Sequence, residues 1–223
     1  MKKAFISWSG GKDCCLAAYK ATQQGIKIVY LLNMVTQGGQ RSCSHGIAAQ
    51  WIRQQSEAME IPLLQFPTTD DNYQSVFTSA LNELSNNEVI TGVFGDIDFE
   101  PHREWIEKVC APSGITPILP LWGENQSKIF LDFIGLGFEA KVIATRADLM
   151  GKEWLGRMLD EKFLKDLADL NKEITPCGEA GEFHTLVVDG PIFRKRVEIC
   201  DAETVKRGEH WFWDIKKIEL VGK

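Results

Sequence analysis

The chain has 223 residues, of which 44% are hydrophobic and 25% are charged, and its formal net charge is −6. A chain of this length can bury roughly 70% of its unfolded surface in one large domain or two modest ones, so it needs no disulfide or metal to fold. The acidic balance argues against a general nucleic-acid-binding protein, which ordinarily presents a basic face.

Apolar segments alternate with helix-forming segments through the first 121 residues. Because the predicted strands are apolar throughout rather than alternating, they indicate a parallel, doubly wound sheet with helices on both faces. Two prolines in the fifth strand place it near an edge. The predicted strands are 3–8, 27–34, 63–66, 89–94 and 116–121, and the helices between them are 12–24, 46–60, 72–84 and 102–110.

The rhythm changes after Leu121, where shorter segments with alternating polarity begin. They predict a smaller α+β domain with a mixed or antiparallel sheet. We therefore expect a five-stranded parallel α/β domain over 1–123 and an α+β domain over 124–223. The predicted helices of the second domain are 127–136 and 159–170, and its strands are 140–145, 183–188, 193–199 and 211–220.

The six cysteines contain no CxxC pair, which argues against a zinc ribbon or a thioredoxin-type redox site. The basic start at Met1 is interrupted by polar residues too early for a signal peptide, and no segment has the ~18 apolar residues of a membrane span. We expect a cytoplasmic protein with reduced cysteines and no membrane association.

The segment Ser9–Asp13, SGGKD, stands between the first strand and the first helix. It is not a Walker A loop, because Ile6 occupies the place of the first glycine and no hydroxyl residue follows Lys12. It nevertheless has the parts of a phosphate site. Its two glycines allow close approach to the backbone, the helix start attracts anions, and serine and lysine supply a hydroxyl and a cation. Asp13 fits either a helix cap or a Mg²⁺ ligand.

SGGKD after a first strand resembles the pyrophosphate loop, or PP-loop, of the adenine nucleotide alpha hydrolase superfamily (the HUP/PP-loop type), whose members cleave ATP between its α and β phosphates. That pattern usually continues with a serine. Cys14 takes its place here, so a hydroxyl contact from that position is in question.

Further segments resemble one family of this superfamily, the diphthine–ammonia ligases. The most specific is CGEAGEFHT, which PP-loop enzymes in general do not have, and together the segments span nearly the whole chain from Ser9 to Phe193. They are SHG at 44–46, GDI at 95–97, HREW at 102–105, PLW at 120–122, CGEAGEFHT at 177–185 and DGP at 189–191.

The resemblance implies an ATP-dependent ligase that adenylates a carboxylate with release of pyrophosphate and then lets ammonia displace AMP. ATP is the co-substrate and Mg²⁺ the metal. The acceptor is either diphthine on translation elongation factor two or another carboxylate. We expect no direct nucleic-acid contact, and a homodimer is left open.

The resemblance also implies roles for individual residues. The ATP site takes Ser7, Ser9, Gly10, Gly11, Lys12, Asp13, Asn33, His45, Gly95 and Asp96, with Mg²⁺ on Asp13 and Asp96. The catalytic set is Lys12, Asp13, Asp96 and Glu182. The acceptor site takes Arg103, Trp105, Trp122, Glu179, Glu182, His184 and Thr185, because the trimethylammonium of diphthine requires aromatic faces and carboxylates.

Each of these residues also has a plainer interpretation. His45 belongs either to a mobile lid or to a helix start, and each tryptophan either binds a cation or packs in the core. Glu179 and Glu182 form either a site or a solvated turn. Arg103 binds a phosphate or pairs with Glu107 one helical turn on. His184 is the general base for ammonia or an ordinary strand residue.

Two other functions stay open. The first is a PP-loop enzyme acting on a different acceptor, such as a bacterial relative or a tRNA-modifying type. The lack of CxxC and of a basic appendage weighs against it. The second is a nucleotide-binding sensor without turnover, against which the intact Lys12 and Asp13 argue.

Overall fold

The computed structural model describes residues 1–36, 38–170 and 173–223. These residues form two compact units. The first comprises Met1–Ser9 and Asp13–Gly123, and the second comprises Gly10–Lys12 and Glu124–Lys223.

The first unit is built on a parallel five-stranded sheet in the order β3-β2-β1-β4-β5. Its strands are β1 Lys2–Ser7, β2 Ile26–Thr36, β3 Leu63–Thr68, β4 Thr91–Val93 and β5 Thr116–Ile118. The connecting helices are α1 Lys12–Gln23, α2 Ala49–Met59, α3 Tyr73–Asn86 and α4 Glu100–Cys110, and a 3₁₀ turn follows at Ala111–Ser113. The predicted parallel α/β sheet and the edge position of its fifth strand are confirmed.

The strand order reverses direction at β1, since β2 lies on one side of it and β4 on the other. In open parallel sheets the crevice outside the carboxyl ends of two such strands is where ligands bind. The segments that leave β1 and β4 are Trp8–Ser9 and Phe94–Asp96. The topology thus places two of the predicted site segments at the same edge of the sheet.

Aromatic side chains pack closely between β1 and the β4 segment. Phe5 is fully buried and its ring packs edge-on against Phe94, with centroids 6.0 Å apart. On the neighbouring strand a Cβ at Gly92 would lie 2.6 Å from Phe5 Cζ, so glycine makes room for the ring. This packing explains why the β4 segment tolerates no side chain at that point.

Two of the element boundaries that differ from the sequence prediction have a clear local cause. Helix α2 begins at Ala49 rather than at residue 46, because Arg41 and Ala48 form an antiparallel bridge and Ser42 N donates to Ile47 O at 2.7 Å. His45 therefore lies in a folded loop and not at a helix start. Strand β5 ends at Ile118, before the second of its two prolines, which cannot donate to the ladder.

The second unit contains an antiparallel sheet in the order β7-β6-β9-β8. Its strands are β6 Glu139–Arg146, β7 Phe183–Asp189, β8 Lys195–Arg207 and β9 His210–Gly222. Its helices are α5 Gln126–Gly135 and α6 Glu161–Asp169, with a 3₁₀ turn at Lys152–Trp154. The predicted smaller antiparallel domain is confirmed, although its last two strands, 13 residues each, are longer than expected.

Aromatic side chains form the centre of the second unit. Phe163 of α6 stacks on Phe130 of α5 at 5.9 Å and meets Phe183 of β7 at 5.4 Å between ring centroids. The side chain of Asp160 caps α6 by accepting a hydrogen bond from Phe163 N at 2.6 Å, which fixes the helix start. Within the described ranges, no helix combines the length and apolar character needed to cross a membrane.

Candidate active site

The segment SGGKD has the backbone conformation of a tight turn into a helix. Gly10 has φ of 84°, a value that favours glycine, and α1 begins two residues later at Lys12. Asp13 stands in the first turn of α1, where a negative charge is favoured by the helix dipole. Ser9 Oγ donates a 3.5 Å hydrogen bond to Cys14 Sγ, so the thiol at the unusual position contacts the loop serine.

The loop backbone is anchored on strand β7. Val187 N donates to Gly10 O at 3.0 Å, and Lys12 N donates to Thr185 Oγ1 at 3.1 Å. Both partners on β7 are buried, and Thr185 is only 2% exposed. The sequence assigns Thr185 to the acceptor site, whereas in the structure its hydroxyl accepts from the loop.

The side chain of Lys12 is buried as well, with 4% of the residue exposed. Its ammonium donates a short hydrogen bond to Cys177 O and lies 5.6 Å from the centroid of the Phe183 ring. A carbonyl and an aromatic face both favour a positive charge. The charge predicted to face pyrophosphate is therefore already oriented by the CGEAGEFHT segment.

Glu182 closes the turn that carries Cys177. It is fully buried, and its two carboxylate oxygens accept hydrogen bonds from Thr175 N at 2.7 Å and Ala180 N at 2.8 Å. Gly178 has φ of 73°, and a Cβ there would lie 2.7 Å from Phe183 O. The alternative of a solvated turn is wrong for Glu182, whose carboxylate binds the backbone of its own turn.

Glu179 lies at the tip of the same turn and is partly exposed. Its backbone N–H donates to Thr175 Oγ1 at 2.8 Å, which fixes the position of its Cα. The two glutamates that the sequence treats as a pair therefore differ, since Glu182 is enclosed while Glu179 reaches the surface.

Asp96 follows β4 and lies close to the start of α1. A Cβ on Gly95 would stand 2.8 Å from Cys14 N and 2.9 Å from the carbonyl carbon of Asp13, so only glycine permits this approach. Asp96 Oδ1 also lies 3.2 Å from His102 Nδ1. Burial raises the pKa of the Asp96 carboxyl, His102 opposes this, and the charge of Asp13 adds to it.

Asp13 and Asp96 fit a nucleotide-bound Mg²⁺. A carboxylate that raises the pKa of its neighbour favours a cation between the two, and Mg²⁺ commonly uses one or two carboxylates together with phosphate oxygens and water. The described residues contain no cluster of three or more metal-ligating side chains.

Asn33 and His45 are placed by the strand β2 and the loop that follows it. The Asn33 amide donates to Trp8 O at 2.8 Å and Ser42 Oγ at 3.0 Å, and its oxygen accepts from Gln65 Nε2 at 3.1 Å. The predicted ATP ligand thus connects the end of β1 with the loop containing His45. Ser7 is the last residue of β1 and is partly buried.

The two tryptophans predicted for the acceptor site, Trp105 and Trp122, have different surroundings in the structure. Trp105 lies in α4, within the predicted helix 102–110, and packs against Phe77 with ring centroids 5.2 Å apart, in agreement with its core-packing alternative. Trp122 does follow β5, and the Arg103 guanidinium lies 5.3 Å from its ring centroid. Arg103 also pairs with Glu107 at 2.9 Å, in agreement with one of its two alternatives.

His184 lies on β7 beside Thr185. Burial, the charge of Lys12 and the neighbouring His210 lower its pKa to about 4, against an opposing effect of Glu182. The imidazole is consequently neutral near pH 7, the form in which one of the two ring nitrogens is an acceptor.

Sequence reasoning missed two contributors. His102, which contacts Asp96, stands in the HREW segment at the start of α4 and could have been found from its spacing of six residues. The Cys177 carbonyl has no sequence signal, because every residue carries one and only the fold brings it to Lys12.

Two family models match the chain. The diphthamide synthase N-terminal domain matches residues 1–117, and the diphthamide synthase C-terminal domain matches residues 125–221. The segments that carry the sequence resemblance fall inside these ranges, except for PLW at 120–122.

Curated relatives are described as diphthine–ammonia ligases. The one from Schizosaccharomyces pombe is 29% identical over 93% of this chain, which spans only 38% of that protein. The one from Rattus norvegicus is 27% identical over 96% of this chain and 89% of its own length. The one from Homo sapiens is 26% identical over 88% of this chain and 82% of its own length.

A solved structure is also similar, that of a predicted subunit of tRNA methyltransferase from Methanocaldococcus jannaschii. It has a TM-score of 0.46 and 15% identity, over 86% of this chain and 98% of its own. A likeness of this size carries no conclusion about function.

Proposed function

The chain belongs to the diphthamide synthase family, and from this premise we propose that it is an ATP-dependent carboxylate–ammonia ligase acting on diphthine. ATP would adenylate the diphthine carboxylate with release of pyrophosphate, and ammonia would then displace AMP to give the amide. The family membership confirms the resemblance seen in the sequence. It favours the ligase over a tRNA-modifying enzyme or a sensor without turnover, since the curated relatives are ligases by name.

The first step places a carboxylate anion next to the anionic α-phosphate, and negative charge develops on the pyrophosphate as it leaves. Positioning and electrostatic stabilisation are the main contributions that a protein makes to such a step. The buried Lys12 ammonium and the helix dipole of α1 supply positive charge at the loop, and Ser9 supplies a hydroxyl. In this proposal they hold the departing pyrophosphate.

Asp13 and Asp96 would hold Mg²⁺ beside the phosphates. When bound, the metal neutralises charge on the phosphate oxygens. Burial is the main cause of the raised pKa of Asp96, and the charge of Asp13 is a smaller one, so a cation between the two carboxylates would relieve part of their mutual repulsion. His102 would keep the Asp96 side chain oriented through its 3.2 Å contact.

The second step needs ammonia in its neutral form. His184 has a pKa of about 4, so its ring is neutral and can accept a hydrogen bond from the incoming nitrogen, although it is a weak base. We assign His184 this orienting role. Glu179 is the carboxylate assigned to the trimethylammonium group, because both oxygens of Glu182 already bind backbone amides.

The proposal keeps the division of the chain that the sequence predicts. Residues 1–123 are proposed to bind ATP and residues 124–223 to bind the acceptor. A cytoplasmic location is proposed as well, supported by six cysteines that all lie within the described ranges and form no disulfide there.

The observation that carries the proposal is a Lys12 ammonium buried at the start of α1 within a family-matched chain. The test is ATP–pyrophosphate exchange with elongation factor two that bears diphthine. We expect exchange that requires Mg²⁺ and the acceptor and that Lys12→Ala abolishes. The matched control Lys108→Ala, an exposed lysine in α4, should exchange at the wild-type rate.

Other outcomes would redirect the proposal. Full exchange by Lys12→Ala would remove the loop assignment. Exchange with other carboxylates but not with diphthine would change the acceptor, and ATP binding without any exchange would favour the sensor.

A further inference from the structure

We propose that Thr185 is a positioning residue for the phosphate loop, and that strand β7 with the turn before it determines where the Lys12 ammonium stands. The inference rests on the proposed ATP chemistry and deepens it. It moves Thr185, which the sequence associates with the acceptor, to the control of the ATP site together with the Cys177 carbonyl, while Glu179 and His184 keep the roles proposed above.

The first argument is the number of anchors that this one segment provides. Thr185 Oγ1 accepts from Lys12 N at 3.1 Å, Val187 N donates to Gly10 O at 3.0 Å, and Cys177 O accepts from Lys12 Nζ. Lys12 is thus held at both its amide and its ammonium. A lysine side chain otherwise has several rotatable bonds, so two fixed ends restrict its charge to a small region.

The second argument concerns the start of α1. The first N–H groups of a helix have no acceptor within the helix and are usually capped by a nearby side chain. Here the acceptor for Lys12 N is a buried threonine 173 residues away in the sequence. This N–H points at Thr185 and not toward a ligand, so phosphate must be bound by the other groups of the loop.

The third argument is that the anchors are themselves supported. Cys177 N donates to Gln126 Oε1 at 3.2 Å, and the buried Glu182 carboxylate ties Thr175 and Ala180 into the same turn. The carbonyl that receives the Lys12 ammonium therefore has a fixed position. A buried network in which each group has a partner is rigid, and rigidity is what a positioning element needs.

The test compares Thr185→Val, which keeps the shape but removes the acceptor, with Thr185→Ser, which keeps the hydroxyl. The control is Thr145→Val on the adjacent strand β6. Thr145 is also fully buried, and its hydroxyl has no hydrogen-bond partner among the described residues. Binding of Mg²⁺–ATP and of inorganic pyrophosphate is measured by calorimetry on the full chain without acceptor, and melting temperatures are measured in parallel.

We expect Thr185→Val to weaken pyrophosphate binding about tenfold. Without its acceptor, the Lys12 N–H turns to water in the free chain, and binding must then return it to the buried position unpaired, at a cost of about that factor or more. Thr185→Ser should stay within about threefold of wild type, and Thr145→Val should bind normally. Where exchange occurs, Thr185→Val should also raise the KM for ATP. If Thr185→Val does not fold, Thr185→Cys, a weaker acceptor of similar size, takes its place with an intermediate effect expected.

Wild-type affinity in the folded valine or cysteine variant would overturn the inference, as would a serine variant as weak as the valine variant. A wild-type chain that binds pyrophosphate but shows no exchange with diphthine would refute the proposed function alone. A wild-type chain that binds neither ATP nor pyrophosphate would overturn both.

Discussion

Gly95→Ala should damage the phosphate loop from outside it. The new Cβ would stand 2.8 Å from Cys14 N, 2.9 Å from Asp13 C and 3.1 Å from Asp13 O. All three are backbone atoms at the start of α1, so no flexible side chain can move aside. Either the segment after β4 or the first turn of the helix has to shift.

The size of the effect follows from these distances. Bringing the 2.8 Å contact to an ordinary 3.4 Å requires a displacement of about 0.6 Å. Overpacking of this kind costs about 1–3 kcal/mol of unfolding free energy. A misplacement of about 1 Å at reacting groups costs about 100-fold in rate, so we expect exchange to fall by about tenfold or more.

The assay pairs urea unfolding with ATP–pyrophosphate exchange. The matched control is Gly135→Ala at the end of α5, where a Cβ meets nothing within 4 Å. Wild-type stability in Gly95→Ala would refute the packing argument. A destabilised variant with wild-type exchange would refute the claim that this contact positions Asp13 and Asp96.

Two further predictions follow from the second unit. Glu182→Gln should lower the free energy of unfolding by about 2–3 kcal/mol, because an amide presents only one acceptor to the two N–H groups that the carboxylate binds. Glu209→Gln, at an exposed glutamate in the turn between β8 and β9, is its control and should unfold like wild type in urea, and equal stability of the two variants would contradict the structural role of Glu182. Stability should also fall as pH decreases from about 6.5 to about 4. In this range the unfolded chain protonates His184 while the folded chain, with a pKa of about 4, does not. His184→Gln should lose on the order of 2 kcal/mol of that pH dependence in urea titrations, and an unchanged profile would mean that the imidazole is not buried as a neutral group.

The sequence is informative wherever a feature depends on neighbouring residues. Continuous apolar runs predict the parallel sheet, and prolines predict its edge strand, because burial on both faces and a missing N–H act locally. The predicted boundary of α2 is wrong by three residues, since the bridge between Arg41 and Ala48 pairs backbone groups that no local pattern specifies. The helix around Trp105 is predicted, but an aromatic side chain suits both core packing and cation binding, so only its neighbours in the fold distinguish the two roles.

Individual roles are harder to predict than the location of the site. The sequence reveals both the SGGKD and the CGEAGEFHT motifs. It does not reveal that the second provides the hydrogen-bond acceptors for Lys12 of the first. Nothing in the residue types at 182 or 185 distinguishes a side chain that binds backbone amides from one that binds a substrate. That distinction depends on which groups the fold leaves without other partners.

The anchors of the phosphate loop also determine when during synthesis the ATP site becomes complete. The carbonyl and the hydroxyl that hold Lys12 are synthesised 165 and 173 residues after it. At about 5–20 residues per second, translation separates Lys12 from these two groups by roughly 8–35 s. A chain that ends prematurely would carry the SGGKD motif without its support. In such a fragment the amide and the ammonium of Lys12 would lack the two acceptors that hold them, so the loop would not keep the ammonium in place.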